Sequence, residues 1–231
     1  MTMQQPLPLF MLMQLTDSAL PVGTFSFSNG LETAAHLGLV HDADTLTAFA
    51  RTVSLQAAYT DGIAALEAHR AARADDFPAL CRIDHRLLQC KLNEESRLML
   101  CRMGQKLAQL AAHLYDHPLL QRWLNEIARG AVPGTYPVCQ GLLFARAGLS
   151  GRALFFAHQY GVVNMVLGAA LRCVRVSHYD TQRILYRLGG ELPSLYAHVS
   201  RLTPDDMCAF SPQLDILASL HEKGDMRMFM N

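Results

Sequence analysis

The stretch from Ala153 to Leu171 limits the possible folds more than any other part of the chain. Its nineteen residues contain no Asp, Glu, Lys or Arg. As an α-helix it has no polar face, so it either crosses a membrane or sits in the middle of a bundle. His158, Gln159, Tyr160 and Asn164 interrupt it, and Arg172 follows at once. That polar load is heavy for a span and ordinary for a core helix whose polar groups find partners. The stretch therefore reads as a central buried helix, capped by Ser150 and running to about Val176, rather than as the anchor of a membrane-associated factor. Gly161 and Gly168 fall seven apart on one face of it, which permits close approach of a neighbouring helix.

The flanking sequence carries helical periodicity throughout and no convincing β alternation. Leu46, Phe49, Ala50 and Val53 form one stripe, opened by Asp42 or Asp44 as a cap. Further helices are predicted over 6–14, 29–37, 63–73, 80–89, 93–115, 119–129, 142–147, 180–188, 195–202 and 214–221. Thr60, Asp61 and Gly62 are expected to break or bend the chain. Pro133, Gly134 and Pro137 are expected to keep 130–141 irregular. The expectation is an all-α, single-domain bundle of roughly ten helices over residues 1–231, with a flexible C-terminal tail at 223–231.

Apolar residues make up 51% of the chain and charged residues 17%, against a usual charged share of about 25%. The formal net charge is zero. A surface with so little repulsion favours association, here expected as a homodimer. Nothing in the charge distribution points to nucleic acid or to an anionic membrane. Six cysteines stand at 81, 90, 101, 139, 173 and 208 with no C-x-x-C. Together with the lack of a signal-peptide pattern, this predicts a reducing, cytoplasmic setting.

The chain has no G-x-x-x-x-G-K-[ST], no G-x-S-x-G and no H-E-x-x-H. Cys81 with His85, beside Asp84, and His113 with His117, beside Asp116, have the i, i+4 spacing that puts two metal ligands on one helix face. Ten histidines and six cysteines make such pairs by chance. The expectation is a protein that is not an enzyme, with no metal site and no cofactor. The rival is an α-helical metal-dependent enzyme using one of these His/Cys sites.

Leu15–Glu32, LTDSALPVGTFSFSNGLE, is a stiff corner between two apolar helices. Pro21 fixes φ and Gly23 tolerates positive φ. Ser26 and Ser28 stand where a helix beginning near Asn29 needs caps, and Glu32 falls in its first turn. Leu20, Pro21, Val22, Gly23, Phe25, Ser26, Phe27, Ser28, Gly30, Leu31 and Glu32 resemble the N-terminal signature of the urease accessory protein UreF family. Glu95, Arg97 and Gly104 are similar to that family's E-x-R followed by a glycine. Ala169, Ala170, Arg172, His178, Asp180 and Gln182 match another of its blocks, whose Pro-Leu-Gly centre is replaced here by Arg175, Val176 and Ser177. His221, Glu222, Arg227, Phe229 and Asn231 resemble its C-terminus.

The resemblance implies an all-α scaffold for urease maturation. It would dimerise, bind a UreD/UreH-type accessory protein, and recruit or regulate the UreG GTPase so that nickel enters apo-urease. It also implies partner-binding roles for Pro21, Gly23, Ser28, Gly30, Glu32, Glu95, Arg97, Arg172, His178, Asp180, Gln182, His221, Glu222, Arg227 and Phe229. Glu32 and Arg172 are expected on or near the surface facing the GTPase. Arg227 and Phe229, in the tail, are expected to face the UreD-type partner.

Overall fold

A computed structural model describes residues 7–23, 27–222 and 228–229, with the side chain of Glu222 excepted. Twelve α-helices run through them, and no strand is present among the described residues. They are α1 Pro8–Thr16, α2 Leu31–His36, α3 Ala43–Ala57, α4 Ile63–Arg73, α5 Phe77–Gln89 and α6 Glu94–Leu114. There follow α7 Pro118–Ala128, α8 Tyr136–Arg146, α9 Gly151–Cys173, α10 His178–Gly189, α11 Leu192–Val199 and α12 Pro212–Glu222.

The charge-free stretch is α9. Ser150 caps it, its hydroxyl accepting from Ala153 N–H at 3.1 Å. Leu154 and Phe155 join one core, built on α4 to α8 around the fully buried Trp123. Val163, Val166 and Ala170 join a second core with α2, α3, α10 and α12. One helix serving two cores needs apolar residues on nearly every side, which explains its composition. The polar residues it carries are paired inward: His158 Nδ1 lies 3.0 Å from Gln140 Oε1, and the Gln159 amide meets Ser54 at 2.8 Å. By length and composition α9 could cross a membrane, but much of its surface is buried against its neighbours.

Other boundaries follow their caps. Asp42 and Thr45 form a capping box on α3, Asn93 accepts from Ser96 N–H at 2.8 Å, and Gly38 and Gly148 end their helices at φ +70° and +71°. Three expectations need correction. Thr60–Gly62 does not break the chain; α3 passes into α4 through one π-helical turn, Ala58–Gly62. The 130–141 stretch is not irregular to its end, because α8 begins at Tyr136 with Pro137 in its first turn. The missing N–H there would have had no intrahelical partner. Gly161 and Gly168 admit no close neighbour; a Cβ at either meets nothing within 4 Å. Close approach falls elsewhere, at Gly104 and Gly141, where a Cβ would lie 1.9 Å from the Gly134 carbonyl oxygen and 2.4 Å from that of Ala65.

The Gly134–Thr135 bend is held by Asp84, which is fully buried on α5. Its carboxylate accepts from Gly134 N–H at 2.7 Å, from Thr135 N–H at 2.9 Å and from the Thr135 hydroxyl. Burial pushes this carboxyl up and the three donors oppose the rise. Asp84→Asn turns one acceptor into a donor facing donors. It is expected to cost about 1–3 kcal/mol, read as a lower denaturation midpoint at unchanged slope.

Candidate functional site

The corner before α2 is pinned by its apolar members: Val22 and Phe27 are buried, while Pro21 is exposed and Gly23 sits at φ +86° with open space around it. Asn29 and Gly30 both take left-handed backbone, at φ +53° and +77°. A Cβ on Gly30 would come within 3.1 Å of Leu217 on α12, so glycine is needed for both conformation and space. The helix starts at Leu31, two residues later than expected, with no side-chain cap. Ser28 contributes its carbonyl to Leu31 N–H at 3.1 Å, while its hydroxyl is buried and finds no partner among the described residues. Phe25 and Ser26 lie outside the described residues.

This corner aims Glu32 inward. Glu32 is only 3% exposed, which corrects the expectation that it faces a partner from the surface. Glu32 Oε2 lies 2.7 Å from His221 Nε2 in the last turn of α12. His221 Nδ1 lies 3.2 Å from Oε2 of Glu95, in the first turn of α6. All three side chains are buried. Each ring nitrogen of His221 thus faces a carboxylate oxygen. The Met228 and Phe229 N–H groups donate to Glu32 at 2.8 and 3.3 Å. Burial alone would raise the Glu32 carboxyl, but the Met228 N–H, His221 and the Phe229 N–H outweigh it and hold it below the ordinary range.

Met228 and Phe229 thus lie against the N-terminal corner. Phe229 is buried, and the Arg172 guanidinium lies 5.2 Å from its ring centre. Arg172 stands in the last turn of α9 and is itself exposed. Three of the sequence blocks therefore meet, at Glu32, Glu95 and His221, and Arg172 from the fourth sits over the tail. The remaining candidates stand apart. Arg97 is exposed and its Nε donates to the Lys91 carbonyl at 2.7 Å, closing the α5–α6 connection. His178 and Gln182 are exposed on α10. Asp180 completes a capping box with Ser177, whose hydroxyl and N–H hold its carboxyl low. Ser177 thus supplies an ordinary cap where the Pro-Leu-Gly centre is missing. Arg227 and the Glu222 side chain lie outside the described residues.

Cys81 and His85 share α5, whereas the second candidate metal pair is split. His117 is not on the helix of His113; it is the N-cap of α7, accepting from Leu119 N–H at 3.1 Å. His85 contacts the Ala131 carbonyl at 3.2 Å and Asp84 is committed to its bend. Among the described residues no group of three or more His, Cys, Asp or Glu side chains could hold a metal ion. A polar pair that periodicity did not reveal is Lys91–Asp61, joined at 2.8 Å and largely buried beside the π-turn. The one signal for it was the Thr60-Asp61-Gly62 interruption itself.

The family model for UreF matches residues 40–189. Urease accessory protein UreF 2 of Brucella canis is 52% identical over 220 residues, covering 95% of this chain and 90% of its own. UreF 1 of Brucella melitensis is 51% identical over 220 residues, covering 95% of this chain and 91% of its own. UreF of Yersinia pseudotuberculosis is 44% identical over 223 residues, covering 96% and 98%. With a family model over most of the chain and relatives 44–52% identical over nearly all of it, the chain belongs to the UreF family of urease accessory proteins.

Proposed function

We propose that this protein is a non-enzymatic, cytoplasmic scaffold of urease maturation. It joins a UreD/UreH-type accessory protein and recruits or regulates the UreG GTPase, so that nickel is inserted into apo-urease. The observation that most supports this reading is the lock between the N-terminal corner and the tail through Glu32. It spends the buried charges of the matched blocks on fixing shape and leaves contact to exposed neighbours.

Those neighbours are suited to protein contact. Arg172 is an exposed cation at the end of α9, resting over the Phe229 ring, and is the residue assigned to the GTPase. Glu32 acts behind it by holding Phe229 in place. Met228, 56% exposed, replaces Phe229 as the tail's contact for the UreD-type partner. Leu9, Phe10 and Met13 of α1 are exposed as well and offer further apolar contact. Tyr179 and Tyr186, 84% and 88% exposed, lie two turns apart on α10 and are the face assigned to the homodimer.

Co-expression of a urease operon with and without this gene tests the reading. Urease made without it is expected to hold little nickel and to have little activity; full nickel loading would end the proposal. Arg172→Glu is expected to weaken GTPase capture at least about tenfold while the dimer persists in sedimentation. Unchanged capture would remove Arg172 from the interface.

A further inference from the structure

A cavity of about 130 Å³ lies between the π-turn and the α6 and α9 helices. It is close in size to an apolar protein cavity of about 150 Å³ that accepts benzene. Met99, Leu100, Met103, Val162 and Met165 form its apolar wall. Thr60, Asp61, Lys91 and His158 form its polar side. π-Helical turns recur at functional sites, and this one places Thr60 and Asp61 together in the cavity wall.

Two atoms of that polar side are unsatisfied. Asp61 Oδ1 and His158 Nε2 are buried with no hydrogen-bond partner among the described residues, although Asp61 and His158 are only 7% and 4% exposed. Gln140 Oε1 accepts from His158 Nδ1–H at 3.0 Å, which leaves Nε2 as a lone-pair acceptor. Lys91 Nζ donates to Asp61 Oδ2 at 2.8 Å and to Thr60 Oγ1 at 3.2 Å, so one of its three N–H bonds is uncommitted. The site offers two acceptors and one donor. Asp61 and Lys91 neutralise each other there, and the two other carboxylates of the lining are already bonded, Glu95 to His221 at 3.2 Å and Asp215 to the Asn93 amide at 2.8 Å, so a cation would have to displace Lys91 and an anion would meet Asp61.

We propose that this cavity binds a small neutral amide, a planar molecule with N–H donors and a carbonyl, of which urea is the simplest. Its N–H groups satisfy Asp61 Oδ1 and His158 Nε2, and its carbonyl takes the spare Lys91 N–H. Both acceptors are covered by neighbouring side chains, so binding requires those side chains to move. The choice of urea as probe rests on the maturation reading; the recognition chemistry does not.

The test is a ¹⁵N–¹H correlation titration of the full chain with urea, and separately with acetamide, at millimolar concentrations. Saturable shifts confined to the cavity wall are expected, with Kd on the order of 1–10 mM for so few ligand atoms. His158→Phe is expected to weaken binding at least about tenfold. Met99→Phe, which fills the cavity from its apolar side, is expected to abolish the shifts and decides the matter if the histidine variant does not fold. Shifts that stay linear, spread over the surface, or survive Met99→Phe overturn the proposal. No urease is present in this assay. Amide binding by a protein that fails to mature urease would end the functional reading and leave this one standing, and the converse holds equally.

Discussion

Glu32→Ala is expected to lose about 3–5 kcal/mol, because it removes one partner from a buried, mutually satisfied charge cluster. His221 Nε2 loses its carboxylate at 2.7 Å, and the Met228 and Phe229 N–H groups lose the acceptor that holds them at 2.8 and 3.3 Å. For a chain of this size the melting temperature should fall by about 10 °C. Phe229 then loses its tether and Arg172 its aromatic neighbour. Amide exchange at Met228 and Phe229 should therefore quicken more than the global loss requires. Glu32→Gln keeps the shape and an acceptor and is expected to fall between the two proteins. If Glu32→Ala melts with the wild type, the cluster does not fix the tail.

The same cluster sets a pH dependence. The Glu32 carboxyl is held below its ordinary value of 4.5, so its stabilisation is complete above that value. It is lost as the pH falls through the lower folded value, where the native carboxylate takes a proton. The difference in stability between wild type and Glu32→Ala should be constant from neutral pH down to about 5 and shrink below it. A difference that grows on acidification would contradict the assigned direction.

Much of the fold was legible because helix ends are written locally. Asp42, Asn93 and Ser150 mark starts, and Gly38 and Gly148 mark stops, each through its own short-range hydrogen bond or backbone angle. Pro137 misled because a proline reads as a breaker unless its place in the first turn is known. The site was legible as residues and not as geometry. Glu32 and His221 are 189 positions apart and Glu95 and His221 are 126 apart, so no periodicity reports their meeting. A glutamate in the first turn of a helix is ordinarily solvated; Glu32 is buried because the left-handed Asn29–Gly30 turn directs α2 against α12. Gly161 and Gly168 had the spacing of a helix contact, yet spacing cannot tell which glycines a neighbour actually reaches.

That last distinction gives two substitutions of opposite sign on the same chemistry. At Gly104 a new Cβ would stand 1.9 Å from the Gly134 oxygen and 2.6 Å from both the Thr135 carbonyl carbon and the Tyr136 nitrogen. All three are backbone atoms, and the Asp84 carboxylate holds this segment through the Gly134 and Thr135 N–H groups. The bend cannot yield without giving up those bonds, so α6 must move. Gly104→Ala is expected to cost about 3 kcal/mol or more, despite a helix-propensity gain of about 1 kcal/mol. Because α6 carries Glu95, the displacement also reaches the His221 cluster. Gly161→Ala places the same methyl in open space on α9 and is expected to gain up to about 1 kcal/mol. Denaturation midpoints moving in opposite directions at equal slopes would place the tight seam at α6 and the bend before α8. Equal shifts would mean that the α6 seam relaxes freely, and the rigid coupling of Glu95 to the bend would fall with it.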